Sequence, residues 1–315
     1  MEITHYTHTG QYILADDEIP AKLQSTEGAI WIDVTNPSPE GLSFLHSLFD
    51  FHPLAVEDVF NHEQRPKAEE FSDHLFIILN PIAMQNGELN SSELNIFVGK
   101  NYLITLHHNV EPVIIQARQR IDPKRVPFEV SATYLLYMIL DTVVDSYLPI
   151  LETIDLEIDE LGTKLVQTPD PAMQIRLFQL KRTLNTLWWI VWPQQDILSA
   201  LLNHQLVFID PKSQYYLRDI TDHLLRIADL IQGSRDTVTG LISLYVSAVS
   251  NQLNVAVNRL TMFTIIIGVI AVISGLYGMN FEHTWPPFDA PWGVPVVLGL
   301  MLVSILVVYR FAHRR

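Results

Sequence analysis

Apolar and polar residues alternate in short blocks over residues 1–128, recur every three or four positions over residues 129–211, and merge into two uncharged runs near the C-terminus. In the first region Gln11–Ala15, Ala29–Val34, Leu75–Leu79, Leu94–Val98 and Leu103–Leu106 read as strands. Gly99-Lys100-Asn101 joins the last two as a tight hairpin. After the turn Thr35-Asn36-Pro37, Ser38 is placed to cap a helix with Pro39 at its first position and Leu42, Leu45, Leu48 and Phe49 on its buried face. His52-Pro53 opens a second short helix through Val59, and the α/β pattern ends near Ile121. From Val130 the period is helical. Val130–Val166 reads as helical, broken or bent only at Pro149, and a turn at Gln167–Pro171 returns a second helix to Val191, just before Pro193. No proline lies between Pro211 and Pro286, so Lys212–Tyr277 is expected as one helix on the order of 100 Å long, despite Gly233 and Gly240.

The two uncharged runs change the picture from a soluble protein to a membrane protein. Leu260–Met279 carries no charge over a length that spans roughly 30 Å as a helix, the thickness of a bilayer core. A loop, residues 281–292, holds two acids, no Lys or Arg, and aromatic residues suited to an interface; Gly293–Tyr309 is the second uncharged run. Arg259 precedes the pair and Arg310, Arg314 and Arg315 follow it, which places both termini in the cytoplasm. The predicted organisation is an α/β domain (1–128), an antiparallel long-helix pair (129–211), a stalk helix continuing as the first transmembrane helix (212–280), an outer loop (281–292), and a second transmembrane helix with a basic tail (293–315).

The first membrane run is not uniformly apolar. Asn254, Thr261, Thr264, Gly268, Ala271 and Gly275 recur at steps of three, four or seven and form one stripe. Spacing alone favours close helix packing, because Thr264/Gly268 and Ala271/Gly275 are small-xxx-small pairs. The alternative is a pore lining built from several copies. The end of the run adds weight to the pore, since Gly278, Met279 and Asn280 offer carbonyls and an amide, neutral oxygens of the kind a hydrated hard cation accepts.

Charge narrows the partners. The first 250 residues hold 33 acids against 16 Lys and Arg, a net of −17, which argues against nucleic acid and favours cations. The absence of cysteine excludes disulfides and thiolate metal sites, and MEITHYTHTG has neither the basic nor the apolar region of a signal peptide. Most acids of the helix from 130, Asp141 to Glu160, suit a solvated face. Glu57 and Asp58, and Asp219 and Asp222, stand instead among apolar or aromatic neighbours, where carboxylates of facing subunits repel unless a cation bridges them. Asp236 is expected to pair with Arg235 or nearby bases. The twelve histidines form no H-E-x-x-H pattern, and no Walker loop, GxSxG or GxGxxG is present, so an enzyme has no constellation to stand on.

The runs His52-Pro-Leu-Ala-Val-Glu-Asp-Val59, His62-Glu-Gln-Arg-Pro-Lys67, Tyr216-Leu-Arg-Asp-Ile-Thr-Asp-His223 and Tyr277-Gly-Met-Asn-Phe-Glu-His283 resemble the CorA family of magnesium and cobalt channels over nearly the whole chain. The resemblance implies a funnel-shaped homopentamer in the inner (plasma) membrane, with the long helix lining the pore. It implies an outer selectivity ring of Gly278, Met279 and Asn280 and an inner polar ring of Asn254. It also implies regulatory divalent ions between subunits at Glu57, Asp58, Asp141 and Asp219, with Mg2+ both transported and regulatory and Co2+, Ni2+ or Zn2+ as further cargo. The chain departs from the family at Ser243, where many members have an acid, at the pore positions Val257, Gly268 and Ala271, and in its short basic tail. A proton-coupled zinc transporter of the same superfamily and a non-conducting, membrane-anchored metal sensor are the rival readings.

Overall fold

The computed structural model describes residues 1–24, 27–61, 64–85, 88–122, 130–167, 169–203, 206, 209–210, 213–279, 285–287 and 290–312. It divides into two compact units, Met1–Leu241 and Ile242–Arg315.

The first unit is built on a seven-stranded sheet of β1 (Glu2–Thr7), β2 (Gly10–Ile13), β3 (Ala29–Thr35), β4 (Lys67–Glu70), β5 (Leu75–Leu79), β8 (Leu94–Val98) and β9 (Tyr102–His107). Their order is β2-β1-β3-β9-β8-β5-β4, while β6 (Ile82–Gln85) and β7 (Glu88–Ser91) pair separately. β3 and β9 run parallel, with Ile32 opposite Ile104, and the other ladders are antiparallel. The central strands β3, β5, β8 and β9 are buried on both faces, which explains their near-continuous apolar runs. On one face Ile30, Ile32, Phe97 and Ile104 pack with Ile19 of α1 (Ile19–Leu23), Leu42, Leu45 and Phe49 of α2 (Pro39–Phe49) and Ala55 and Val59 of α3 (Pro53–Phe60). α5 (Ala132–Asp145) contacts β3, β8 and β9, and α4 (Pro112–Arg120) packs on α5. The expected cap of α2 is present: Ser38 Oγ accepts from Gly41 N at 3.0 Å with Pro39 at the first helical position.

β1 and α4 have no counterpart among the expected elements. β1 buries Thr4, His5 and Thr7 beside Ile3 and Tyr6, and this mixture hides its strand period. Side-chain bonds from His5 to Glu27 O (3.1 Å) and from Thr7 to Gly10 O (3.1 Å) make that burial tolerable.

Two helix boundaries differ from expectation, both because of proline. The break in the 130–166 stretch falls at Ser146, between α5 and α6 (Tyr147–Gln167), rather than at Pro149. Pro149 cannot donate to the carbonyl of Asp145 and its ring crowds that carbonyl, so the interruption appears about one turn upstream. α7 (Pro171–Asn203) does not stop at Val191 but runs through Pro193. Just after that proline Gln194 Nε2 donates to Ile190 O (3.1 Å) and to Tyr147 Oη of α6 (2.6 Å), tying this turn of α7 to α6.

α8 (Gln214–Tyr277) is one continuous helix of 64 residues, as the lack of proline predicts. Within the first unit Ser234 Oγ donates to Asp155 Oδ1 of α6 at 2.6 Å, and Arg235 donates to Asn185 Oδ1 of α7 at 3.0 Å. Arg235 also lies 5.1 Å over the Trp188 ring, which stacks on Trp192 at 4.7 Å. Asp236 takes its hydrogen bond from Gln232 Nε2 (3.0 Å), not from Arg235, whose guanidinium faces α7 instead.

Among the described residues, three helical stretches are long and apolar enough to cross a membrane: Ala132–Leu165, Gln214–Tyr277 and Gly293–Arg310. The apolar window of the first is 67% buried, so it is core; that of α8 is 0% buried and that of α9 (Gly293–Ala312) 11% buried. α9 and the part of α8 from Ile242 onward belong to the second unit, where Tyr277 Oη donates to Trp285 O at 2.6 Å.

Candidate ion path and metal-binding carboxylates

Over its last turns α8 has two unlike faces. Met262, Ile266, Val269, Ile270, Ile273 and Tyr277 are half-buried, and at 3.6 residues per turn they fall on one side. Asn254, Val257, Thr261, Thr264, Gly268, Ala271 and Gly275 fall on the opposite side, and all are exposed. Among the described residues, a methyl group added at Gly268 or Gly275 would meet no atom within 4 Å, so these two positions of the small-residue stripe are unfilled. Thr261 and Thr264 bond back to Val257 O and Leu260 O, each at 2.9 Å, which satisfies their hydroxyl protons along an otherwise apolar segment. At the end of the stripe Gly278 N still donates to Ser274 O (2.8 Å) and Met279 is exposed; Asn280 lies outside the described residues.

The carboxylates sit on three elements of the first unit. α3 carries Glu57 and Asp58 and is anchored through buried Ala55 and Val59, with His52 Nδ1 capping it by accepting from Leu54 N at 3.3 Å. Glu57 is exposed. Asp58 already has partners: Lys67 Nζ at 2.6 Å from Oδ2 and Gln64 Nε2 at 2.8 Å from Oδ1. Asp219 is exposed on α8. Asp141 is buried on α5, where Arg120 Nη2 reaches its Oδ2 and Arg120 Nη1 lies 3.2 Å from Asp145 Oδ2. Burial, then the Asp145 charge, push the Asp141 carboxyl above its ordinary range despite Arg120. Burial with the charges of Asp141 and Asp219 pushes the neighbouring Tyr137 hydroxyl up to about 12.

Among the described residues, the group of three or more potential ligands drawn within 4.8 Å is Asp141, Asp145 and His223. Glu57, Asp58 and Asp219 stand outside it. In the sequence Asp145 reads as part of a solvated face, and nothing local marks His223 as a ligand. The signal was present: Asp141 and Asp145 are one helical turn apart, and repulsion between such a pair calls for a cation, here Arg120.

A family model for the CorA-like Mg2+ transporter protein matches residues 26–314. The cobalt/magnesium transport protein CorA of Thermotoga maritima is 34% identical over 310 residues, covering 97% of this chain and 88% of that protein. The complete structure of the CorA magnesium transporter from Methanocaldococcus jannaschii superposes with a TM-score of 0.82 at 25% identity, covering 99% of this chain and 96% of that one. Full-length CmaX shares the fold, with a TM-score of 0.80 at 17% identity over 99% of this chain and 97% of its own. An α/β domain, a long helix and two C-terminal apolar helices, carried by one continuous match in sequence and structure, make this chain a member of the CorA-like Mg2+ transporter family.

Proposed function

We propose that the chain forms a homopentameric channel in the inner (plasma) membrane that passes hydrated Mg2+, and also Co2+ or Ni2+, along an axis lined by α8. The observation that carries this reading is the stripe from Asn254 to Gly275: it is exposed, unfilled, and opposite the half-buried face of the same helix. A strip of amide, hydroxyl and backbone facing lipid is unfavourable, whereas copies of the helix around a water-filled axis satisfy it. The relatives named magnesium and cobalt transporters point the same way. Mg2+ dehydrates reluctantly, so neutral oxygens that meet its water shell, from Asn254, Asn280 and the Gly278 and Met279 carbonyls, suit it better than a carboxylate ring.

Regulation follows from charge in the same proposal. Asp58 and Asp219, with Glu57 and Asp141 in support, take Mg2+ between neighbouring subunits; bound ions draw the acidic domains together and hold the pore closed, and their loss lets the domains splay. Both termini then lie in the cytoplasm. The test is uptake into liposomes containing only this protein, run for Mg2+, Co2+, Ni2+ and Zn2+ with and without a pH gradient. Mg2+ flux independent of the gradient supports a channel; flux requiring the gradient indicates a coupled zinc-type transporter; no flux of any ion indicates a sensor.

A further inference from the structure

The first unit holds a cavity of about 740 Å3 that no part of the ion path uses. It opens at the carboxyl end of β9, beside the parallel β3–β9 pair and between Arg65, Asn80, Glu93, His107, Glu111 and Trp189. The carboxyl ends of parallel strands are where open α/β sheets receive ligands.

Its wall groups divide into satisfied and unsatisfied ones. Glu93 accepts from Gln64 N (3.0 Å) and Asn95 Nδ2 (3.1 Å), and Glu111 from Ser92 Oγ (2.5 Å) and Val113 N (3.5 Å), so both carboxylates are turned to the protein. His107 is held between Asp33 and Asn109 O. Asn80 is different: it is 9% exposed and its Oδ1 has no hydrogen-bond partner. A buried amide without a partner is costly unless a ligand completes it. Arg65 is exposed at the mouth, and among the described residues no carboxylate reaches its guanidinium, which instead lies 5.0 Å over the ring of Trp189. Trp189 itself remains 59% exposed with Arg65 over its ring, so indole surface is left open at the mouth.

The unsatisfied set is therefore an aromatic face, an unpaired guanidinium and a buried amide around one cavity of ligand size. Indole and guanidinium planes stack on nucleobases, an amide reads a base edge, and a guanidinium pairs with phosphate. We propose that this cavity binds a nucleoside monophosphate, its base on Trp189 and Asn80 and its phosphate on Arg65. The Glu93 and Glu111 carboxylates in the same wall disfavour a polyphosphate there.

The test is calorimetric titration of the full chain in detergent with AMP, ATP, adenosine and inorganic phosphate. Saturable AMP binding is expected, at least about tenfold tighter than ATP or adenosine, with phosphate weaker still. Arg65→Gln and Trp189→Ala, both at exposed positions, should each weaken AMP about tenfold while leaving the helical circular-dichroism spectrum unchanged. No saturable AMP binding, binding of ATP as tight as AMP, or affinity unchanged in both variants would each overturn the proposal. Because binding is read directly, the result is independent of whether the protein conducts ions.

Discussion

Lys67 Nζ stands 2.6 Å from Asp58 Oδ2, an ammonium already seated on the carboxylate proposed to bind Mg2+ between subunits. The pair is partly screened, with the side chains 30% and 18% exposed. The burial of Lys67 alone would favour the neutral amine, but hydrogen bonds and charge from Asp58 and Glu69 outweigh it and keep the ammonium charged. An incoming divalent ion must therefore displace or share with Lys67. Lys67→Gln removes the competitor; a half-exposed pair contributes about 1 kcal/mol or less, so the Mg2+ midpoint for protease protection should fall by roughly fivefold or less. A midpoint that rises would mean that Lys67 helps to build the site.

Removing the carboxylates should act in the opposite direction. Asp58→Ala combined with Asp219→Ala is expected to abolish most of the Mg2+ protection of the first unit against proteolysis, in the millimolar range where the parent is protected. Protection equal to the parent at the same Mg2+ would show that these two carboxylates are not the sensor.

Gly268→Leu separates the pore from simple packing. Among the described residues a Cβ placed at Gly268 meets no atom within 4 Å, so the protomer leaves room there for a side chain to start. If copies of α8 surround an axis, several leucines meet there, and Mg2+ uptake should fall at least about tenfold in protein whose first unit melts as in the parent. Unchanged uptake would move the ion path to another face of the helix.

Asn280→Ala should leave an oligomer of the parent's mass in mild detergent that no longer takes up Mg2+. The same mass measurement should give a pentamer; a monomer or dimer would contradict the pore. Uptake near the parent level in an assembled mutant would remove Asn280 from the filter.

His74 predicts a pH dependence with a definite sign. It is 1% exposed, neither ring nitrogen has a hydrogen-bond partner, and Phe51, Phe71 and Phe97 surround it. Burial holds its pKa below the ordinary value; the charge of His52 pushes the same way, and those of Asp73 and Asp50 oppose it. As pH falls the unfolded chain takes the proton first, so the stability His74 contributes is present above about pH 6.5 and lost below it, at up to about 1.4 kcal/mol per pH unit. His107 has the reverse sign, because Asp33 raises its pKa against burial and its contribution fades only as pH rises. In thermal unfolding at pH 5.5 and 7.5, His74→Phe should lose less stability on acidification than the parent. An equal loss would exclude His74 as the titrating group.

What was legible in the sequence was whatever depends on neighbours along the chain. Ser38 and Pro39 start α2, Gly99–Asn101 turn β8 into β9, and the proline-free stretch becomes α8, each through local backbone chemistry. The stripe from Asn254 to Gly275 was equally visible, because helical period alone places it on one face. What depends on partners remote in sequence was not visible. Nothing local shows that β1 can bury His5 because Glu27 O meets it, or that Tyr147 meets Gln194 just after Pro193. The same holds for Arg120, which binds Asp141 across 21 positions and changes a candidate ligand into half of an ion pair. Pro149 is plain in the sequence, but its effect falls on the carbonyl four residues earlier.

Trp188 and Trp192, stacked 4.7 Å apart on α7 with Arg235 of α8 over the first ring, also form an optical gauge. Two indoles held face to face couple their transitions and give a near-ultraviolet circular-dichroism signal that isolated tryptophans lack, and a cation above one of them shifts its emission. Any regulatory ion that changes the seating of α8 on α7 within the first unit therefore writes its effect into the native spectrum, and the ion's action on that seam can be followed without a label.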